Sequence, residues 1–244
     1  MFSFFKSQSK VIDLSFLSVD MHSHLLPALD DGASSLNDSI SLIKELHTLG
    51  YKKLICTPHV LSGIYDNTTD KIKNAFTLLN NELQRQNIPV EIAAAAEYMV
   101  DFDFELMVDK KLPLLTFGKK YVLIEMSYVG ASPNIEKVIF NLRVAGYVPV
   151  IAHPERYNYY HKNFKYYHEL KERGCLLQLN LLSLMGYYGG YVKKIAEQLL
   201  HKQMIDFIGT DLHHQQHLMA IKKFVATTHF AALMRNTSFL NNTL

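Results

Sequence analysis

Short apolar runs alternate with segments of helical periodicity along most of the chain. Seven runs are predicted to be strands, at positions 17–24, 53–57, 90–96, 121–124, 148–152, 175–179 and 206–210. Between and after them lie seven predicted helices, at about 34–49, 69–86, 101–109, 135–145, 163–173, 191–202 and 217–234. This alternation predicts a parallel α/β sheet, either closed as a barrel or open and doubly wound.

Titratable residues end six of the seven predicted strands, and their positions distinguish a closed barrel from an open sheet. The six are His24, His59, Glu97, Glu125, His153 and Asp211. In a barrel the carboxyl ends of all strands meet at one mouth, so these side chains would share a site. An open sheet would separate them by roughly 4.8 Å for each strand. We therefore predict an α/β fold, a distorted TIM-like (β/α)7 barrel.

Length and composition are those of one globular domain. The 244 residues are 48% apolar and 20% charged, and the formal net charge of +2 is too small to suggest a nucleic-acid or anionic-membrane partner. Both cysteines lie in apolar runs, which is typical of reduced core residues in the cytoplasm. We expect an N-terminal extension at 1–18, a single domain at 19–235 and a loose polar tail at 236–244, with no membrane insertion.

The segment His22-Ser23-His24 ends the first predicted strand and is a candidate metal chelate. Alternate residues of a strand point to the same side, so both imidazoles can bind one divalent ion. A surface strand with two solvated histidines would have the same local pattern. The recurrence of similar residues at strand ends favours the metal site, and nine residues are candidate ligands: His22, His24, Asp31, His59, Glu97, Glu125, His153, Asp211 and His213.

Nine nitrogen and carboxylate donors are more than one ion requires. They suit two or three divalent transition-metal ions with bridging carboxylates, namely Mn, Fe or Zn. Arg156 follows the candidate ligand His153 by three residues and could bind a phosphate with its planar guanidinium. The alternative for Arg156 is a surface salt bridge with Glu155 or another neighbour.

Taken together, these residues resemble a known superfamily. The strings HSHLLPALDDGA, CTPHV and AHPERY, with Glu97-Tyr98, Glu125-Met126 and Asp211-Leu212-His213, are similar to the PHP (polymerase and histidinol phosphatase) superfamily. More narrowly, they resemble the manganese-dependent tyrosine phosphatases of bacterial capsule and exopolysaccharide operons. The resemblance extends from about residue 19 to 213, and it implies a distorted barrel with a trinuclear metal centre.

The resemblance also implies a role for each residue. It assigns a first metal to His22, His24, Glu97 and Asp211, a second to Glu97, Glu125 and His153, and a third to Asp31, His59 and His213. Arg156 matches an arginine that binds the substrate phosphate. A second arginine of the family is absent here after Asp211-Leu212-His213, and His217 or Lys222 could replace it. The predicted catalytic residues are thus Arg156, Glu97 and His217.

The function implied by the resemblance is hydrolysis of phosphotyrosine on a protein substrate. The predicted partner is the tyrosine-rich tail of a bacterial tyrosine autokinase that controls capsule or exopolysaccharide synthesis. Neither Cys56 nor Cys175 is followed, after five intervening residues, by the arginine that a cysteine phosphatase needs. A small-molecule phosphoesterase of the histidinol-phosphate type and a non-catalytic, metal-bound regulatory scaffold remain alternatives. The oligomeric state stays open.

Overall fold

The computed structural model describes residues 13–118, 120–235 and 237–244. Its strands are β1 Val19–Ser23, β2 Lys53–Cys56, β3 His59–Val60, β4 Glu91–Ala94, β5 Glu97–Met99, β6 Tyr121–Glu125, β7 Val148–Ala152, β8 Leu176–Asn180 and β9 Phe207–Gly209. Its α-helices are α1 Leu36–Thr48, α2 Thr69–Arg85, α3 Phe102–Asp109, α4 Ile135–Val144, α5 Lys165–Glu172, α6 Leu181–Met185, α7 Gly190–His201, α8 Gln215–Val225 and α9 Thr228–Met234. Of these described helices, none combines the length and the apolar character that crossing a bilayer requires.

All strand pairs are parallel, in the order β1-β2-β4 and β3-β5-β6-β7-β8-β9. The two sheets are continuous with each other, because β2 leads into β3 through Thr57-Pro58 and β4 leads into β5 through Ala95-Ala96. Proline has no N–H to donate to a strand ladder, which is one reason for the interruption at Pro58. The described strands therefore occupy seven positions around the sheet, as the sequence predicts.

The sheet curls until its last strand meets its first. The N–H of Asp211 donates to the carbonyl of His22 at 2.8 Å, and the N–H of His24 donates to the carbonyl of Leu212 at 2.9 Å. Buried side chains from opposite sides of the curl, including Met21, Leu123 and Phe207, fill the interior. The predicted distorted barrel is confirmed, and its carboxyl ends form one mouth.

Ser35 caps helix α1, whereas the predicted C-terminal helix is divided into two. The hydroxyl of Ser35 accepts a hydrogen bond from the N–H of Asp38 at the start of α1. The single helix predicted at 217–234 is instead α8 and α9. Thr227 separates them, because its hydroxyl accepts from the N–H of Phe230 and begins a new helix.

The C-terminal tail packs against the barrel, which corrects the expectation that it is loose. Asn241 is fully buried and donates to the carbonyls of Val19 at 2.9 Å and Ile208 at 2.7 Å. Its amide oxygen also accepts from the N–H of Ile208 at 3.0 Å. One polar side chain therefore satisfies backbone groups of both β1 and β9. Of the predicted N-terminal extension, residues 1–12 lie outside the described residues, and Leu14 and Leu17 are buried.

We predict that Asn241→Ala destabilises the fold by about 3 kcal/mol or more. It would leave three buried backbone groups without a partner, and each such group costs about 1–3 kcal/mol unless water reaches it. Asn242→Ala is the matched control, because Asn242 makes one exposed hydrogen bond, to the carbonyl of Phe16. Denaturant unfolding measures both variants, and equal, small changes would contradict the role assigned to Asn241.

Candidate metal centre

The barrel mouth brings together all nine predicted ligands. They lie on the parallel strands of the barrel or in the loops that follow them: His59 and Glu97 begin β3 and β5, and the others lie near the end of, or after, β1, β6, β7 and β9. Most of them are buried, and Asp31, His59 and His213 are the ones that solvent reaches. The cluster thus forms because the barrel closes, even though its members are spread over most of the sequence.

The first subsite contains His22, His24, Glu97 and Asp211. The Nε2 atoms of the two histidines are 3.2 Å apart. The Oε2 atom of Glu97 lies 3.2 Å from His22 Nε2 and 3.4 Å from His24 Nε2. The Oδ1 atom of Asp211 lies 3.4 and 3.3 Å from the same two nitrogens. Four donor atoms within 4.8 Å of one another can surround a single ion.

The second subsite is centred on Glu97 and Glu125. His153 Nε2 lies 3.0 Å from Glu97 Oε1 and 4.0 Å from Glu125 Oε2. His59 Nδ1 also lies here, 3.1 Å from Glu97 Oε2 and 2.9 Å from Glu125 Oε1. Glu97 therefore contacts both subsites, in agreement with the bridging position that the resemblance implies.

The third subsite lies at the rim. The Oδ1 atom of Asp31 is 3.6 Å from His59 Nε2 and 3.5 Å from His213 Nε2, and His24 belongs to the same group of donors. His59 thus presents one ring nitrogen to the second subsite and the other to the third. The ligand sets that the resemblance implies place His59 in the third set alone.

Two features of the chain indicate that this cluster fits divalent metal ions. Glu97 Oε2 is buried and accepts no hydrogen bond from the described residues, although three imidazole nitrogens lie within 3.4 Å. Burial alone would favour the neutral acid, but the charges of His22 and His59 outweigh it and hold the pKa of Glu97 well below its usual value. A charged carboxylate among imidazoles, without thiolates, suits Mn, Fe or Zn.

Two neighbouring residues orient the ligating histidines, and sequence reasoning gave neither of them a role. Gln178 Oε1 lies 2.9 Å from His22 Nδ1, and Asp30 Oδ2 lies 2.8 Å from His24 Nδ1. An acceptor at Nδ1 favours the tautomer that leaves Nε2 free to bind an ion. The sequence could have indicated Asp30, because this carboxylate directly precedes the predicted ligand Asp31. It could also have indicated Gln178, because this residue is polar and lies inside an apolar strand.

Arg156 reaches the same mouth through a sharp turn. His153 has a positive φ of 33°, and the following 3-10 helix, Pro154–Arg156, places the guanidinium against Asp211, with Nη1 3.0 Å from Oδ2. Of the alternative, a surface salt bridge with Glu155 or another neighbour, the partner Glu155 is not found, and the ion pair is with Asp211 in the mouth. Glu155 is buried and instead accepts from the N–H of Asn180 at 3.0 Å and the hydroxyl of Ser183 at 2.7 Å.

A cavity of about 450 Å³ opens over the cluster, and His217 lines it together with Arg156. Burial, and then His214 and His213, lower the pKa of His217 to about 4, so the side chain is neutral near pH 7. His217 therefore does not supply the positive charge of a second arginine. Lys222 does not replace it either, because it pairs with Glu45 of α1 and lies outside the cavity lining.

Comparison with known proteins identifies similar chains and folds. The family model for capsular polysaccharide synthesis, CpsB/CapC, matches residues 18–222. The tyrosine-protein phosphatase YwqE of Bacillus subtilis is 32% identical over 196 residues, which cover 80% of this chain and 77% of the relative. The tyrosine-protein phosphatase CpsB of Streptococcus agalactiae is 28% identical over 202 residues, covering 80% and 83%.

Solved structures agree with these sequence matches. A crystal structure from the work on YwqE and on CpsB of Streptococcus pneumoniae, described as metal-dependent tyrosine phosphatases, superposes with a TM-score of 0.76. It is 29% identical in sequence, and the alignment covers 91% of this chain and 96% of the other. Histidinol phosphate phosphatase of Lactococcus lactis has a TM-score of 0.59 at 12% identity over 91% and 94% of the two chains, and so shares the fold.

Proposed function

The chain belongs to the CpsB/CapC family of capsular polysaccharide synthesis, and we propose that it is a metal-dependent phosphatase that hydrolyses phosphotyrosine in proteins. The observation that carries this proposal is the position of Asp211. One of its oxygens faces His22 and His24 of the first subsite, and the other contacts Arg156. An arginine suited to phosphate binding therefore lies beside the candidate metal centre, and both line one cavity.

We propose that the three subsites hold divalent transition-metal ions, with manganese as the resident metal and iron or zinc as the alternatives. Such ions supply Lewis acidity towards water and phosphoryl oxygens. Arg156 then binds the phosphate and neutralises charge that develops on its oxygens. The phenolate that leaves has a pKa of about 10, so it needs less protonation than an alkoxide and no strong general acid.

The mouth is better suited to a protein substrate than to a small metabolite. Exposed apolar side chains follow β3, β5 and β6 in the chain, with Ile64 and Val129 in loops and Phe102 at the start of α3. Ile64 is 68% exposed, Phe102 72% and Val129 96%. Apolar groups of this size that face water near a cavity commonly mark a protein-binding surface. We propose that the tyrosine-rich tail of a bacterial tyrosine autokinase binds here, in the cytoplasm.

A paired substrate assay tests this function. We expect kcat/KM on a phosphotyrosine peptide to exceed that on histidinol phosphate by at least about 100-fold. A ratio of this size corresponds to a difference of about 2.7 kcal/mol in transition-state binding. Elemental analysis of the same preparation should find two to three ions per chain. The scaffold alternative predicts no turnover of either substrate, and the phosphoesterase alternative predicts the reverse order.

Chelation provides the control for the metal requirement. Treatment with a chelator should remove activity on the peptide, and added Mn²⁺ should restore it. An unchanged rate after complete removal of metal would contradict the proposed function.

A further inference from the structure

The guanidinium of Arg156 lies between two tyrosine rings. Its central carbon is 4.6 Å from the ring centre of Tyr128 and 4.0 Å from that of Tyr188. Both distances are within the range of cation–π interactions, and both rings line the cavity above the metal centre. Tyr128 lies on the loop after β6 and Tyr188 on the loop after α6, so two separate parts of the chain enclose one side chain.

Each ring is in turn held by residues around it. Asn180 donates through Nδ2 to the hydroxyl of Tyr188 at 3.3 Å and to Asp211 Oδ2 at 2.7 Å. Tyr128 has the rings of His153 and Tyr157 within 5.9 Å of its own. The enclosure is therefore connected to the metal centre on both sides, through Asp211 and through His153.

The two rings and Asp211 constrain different parts of the guanidinium. The rings restrict the plane of the group, whereas Asp211 Oδ2 occupies only Nη1 at 3.0 Å. Burial raises the pKa of Tyr188 above its usual value, so this phenol is neutral near pH 7 and does not cancel the positive charge beside it. The remaining N–H groups of Arg156, which lines the cavity, stay available to an anion.

We propose that Tyr128 and Tyr188 are positioning residues for phosphate binding, which act by fixing the plane of the Arg156 guanidinium. The proposal rests on the proposed phosphatase function. A long arginine side chain otherwise samples many rotamers, and a bidentate contact with a phosphate requires one of them. The two rings restrict the Arg156 side chain before the substrate binds, so less conformational entropy is lost when the phosphate binds.

A double-mutant cycle tests this role. Tyr128→Leu and Tyr188→Leu are each expected to lower kcat/KM on a phosphotyrosine peptide about tenfold and to weaken binding of inorganic phosphate by a similar factor. In the Arg156→Ala background, the same leucine substitutions should change kcat/KM by less than about twofold, because there is no guanidinium left to position. Tyr188→Phe keeps the ring and should recover most of the loss.

Tyr191→Leu is the matched control, because Tyr191 is 82% exposed and contacts neither Arg156 nor the metal centre. Metal content and thermal unfolding are measured for every variant. A tenfold loss that persists in the Arg156→Ala background would show that the rings act on the substrate directly and would overturn the proposal. Loss of metal in parallel with activity, or leucine variants within twofold of wild type, would overturn it as well.

Failure of the phosphatase function has a different signature. In that case the wild-type holoenzyme would not hydrolyse the peptide at all. The binding of inorganic phosphate by the same variants would then still decide whether the rings position Arg156.

Discussion

Glu97→Gln is expected to remove metal ions and nearly all activity together. The Glu97 carboxylate is fully buried and lies within 3.4 Å of nitrogens from His22, His24, His59 and His153. An amide is neutral and has one oxygen instead of two, so it cannot hold ions in both subsites as a bridging carboxylate would. We expect at least one ion fewer per chain and a fall in kcat of about 1000-fold or more.

Two other variants serve as comparisons for Glu97→Gln. Glu155→Gln also replaces a fully buried glutamate, but among the described residues the Glu155 carboxylate accepts from Asn180 and Ser183 and forms no hydrogen bond or ion pair with the nine candidate ligands, so metal content should stay complete. Asp31→Asn should weaken chiefly the third subsite, because Asp31 lies at the rim near His59 and His213. Elemental analysis and steady-state kinetics measure all three variants. Full metal occupancy in Glu97→Gln, with a near-normal rate, would show that the bridging assignment is wrong.

Arg156→Ala is expected to lower kcat/KM on a phosphotyrosine peptide by roughly 100-fold or more while metal ions stay bound. A charge-assisted contact that strengthens in the transition state is worth a few kcal/mol, and no nitrogen of an arginine is a metal ligand. Arg156→Lys should recover little, because an ammonium is a point charge and cannot bind two phosphate oxygens in one plane. A lysine also has no planar group that could stack between the two tyrosine rings.

Arg173→Ala is the control for removal of one positive charge. Arg173 pairs with Glu136 and Glu169 on the surface, away from the cavity, and its loss should leave kcat/KM within twofold. All rates are compared at equal metal occupancy, because Asp211 contacts both Arg156 and the first subsite. A rate for Arg156→Ala within threefold of wild type would mean that the metal ions alone bind the phosphate.

The charge of His217 shows which property of a site residue sequence reasoning does not provide. The sequence suggests that His217 replaces the positive charge of a second arginine, and in the structure His217 does line the cavity. Its charge depends on surroundings that the sequence does not display. Burial and the neighbouring His214 and His213 lower its pKa and keep it neutral. The tail shows the same limit, because the burial of Asn241 depends on backbone groups more than 30 residues away along the chain.

The sequence by itself determined the identity of the donors and their place at the ends of strands. Both are local properties, because apolar runs specify strands, although β3 and β5 begin at His59 and Glu97 rather than end there. Only the tertiary structure decided which donors share an ion site, that Gln178 and Asp30 orient two of the histidines, and that Tyr128 and Tyr188 enclose Arg156. These relations join residues far apart in the chain, and closure of the barrel, with β9 beside β1, sets the distances between them.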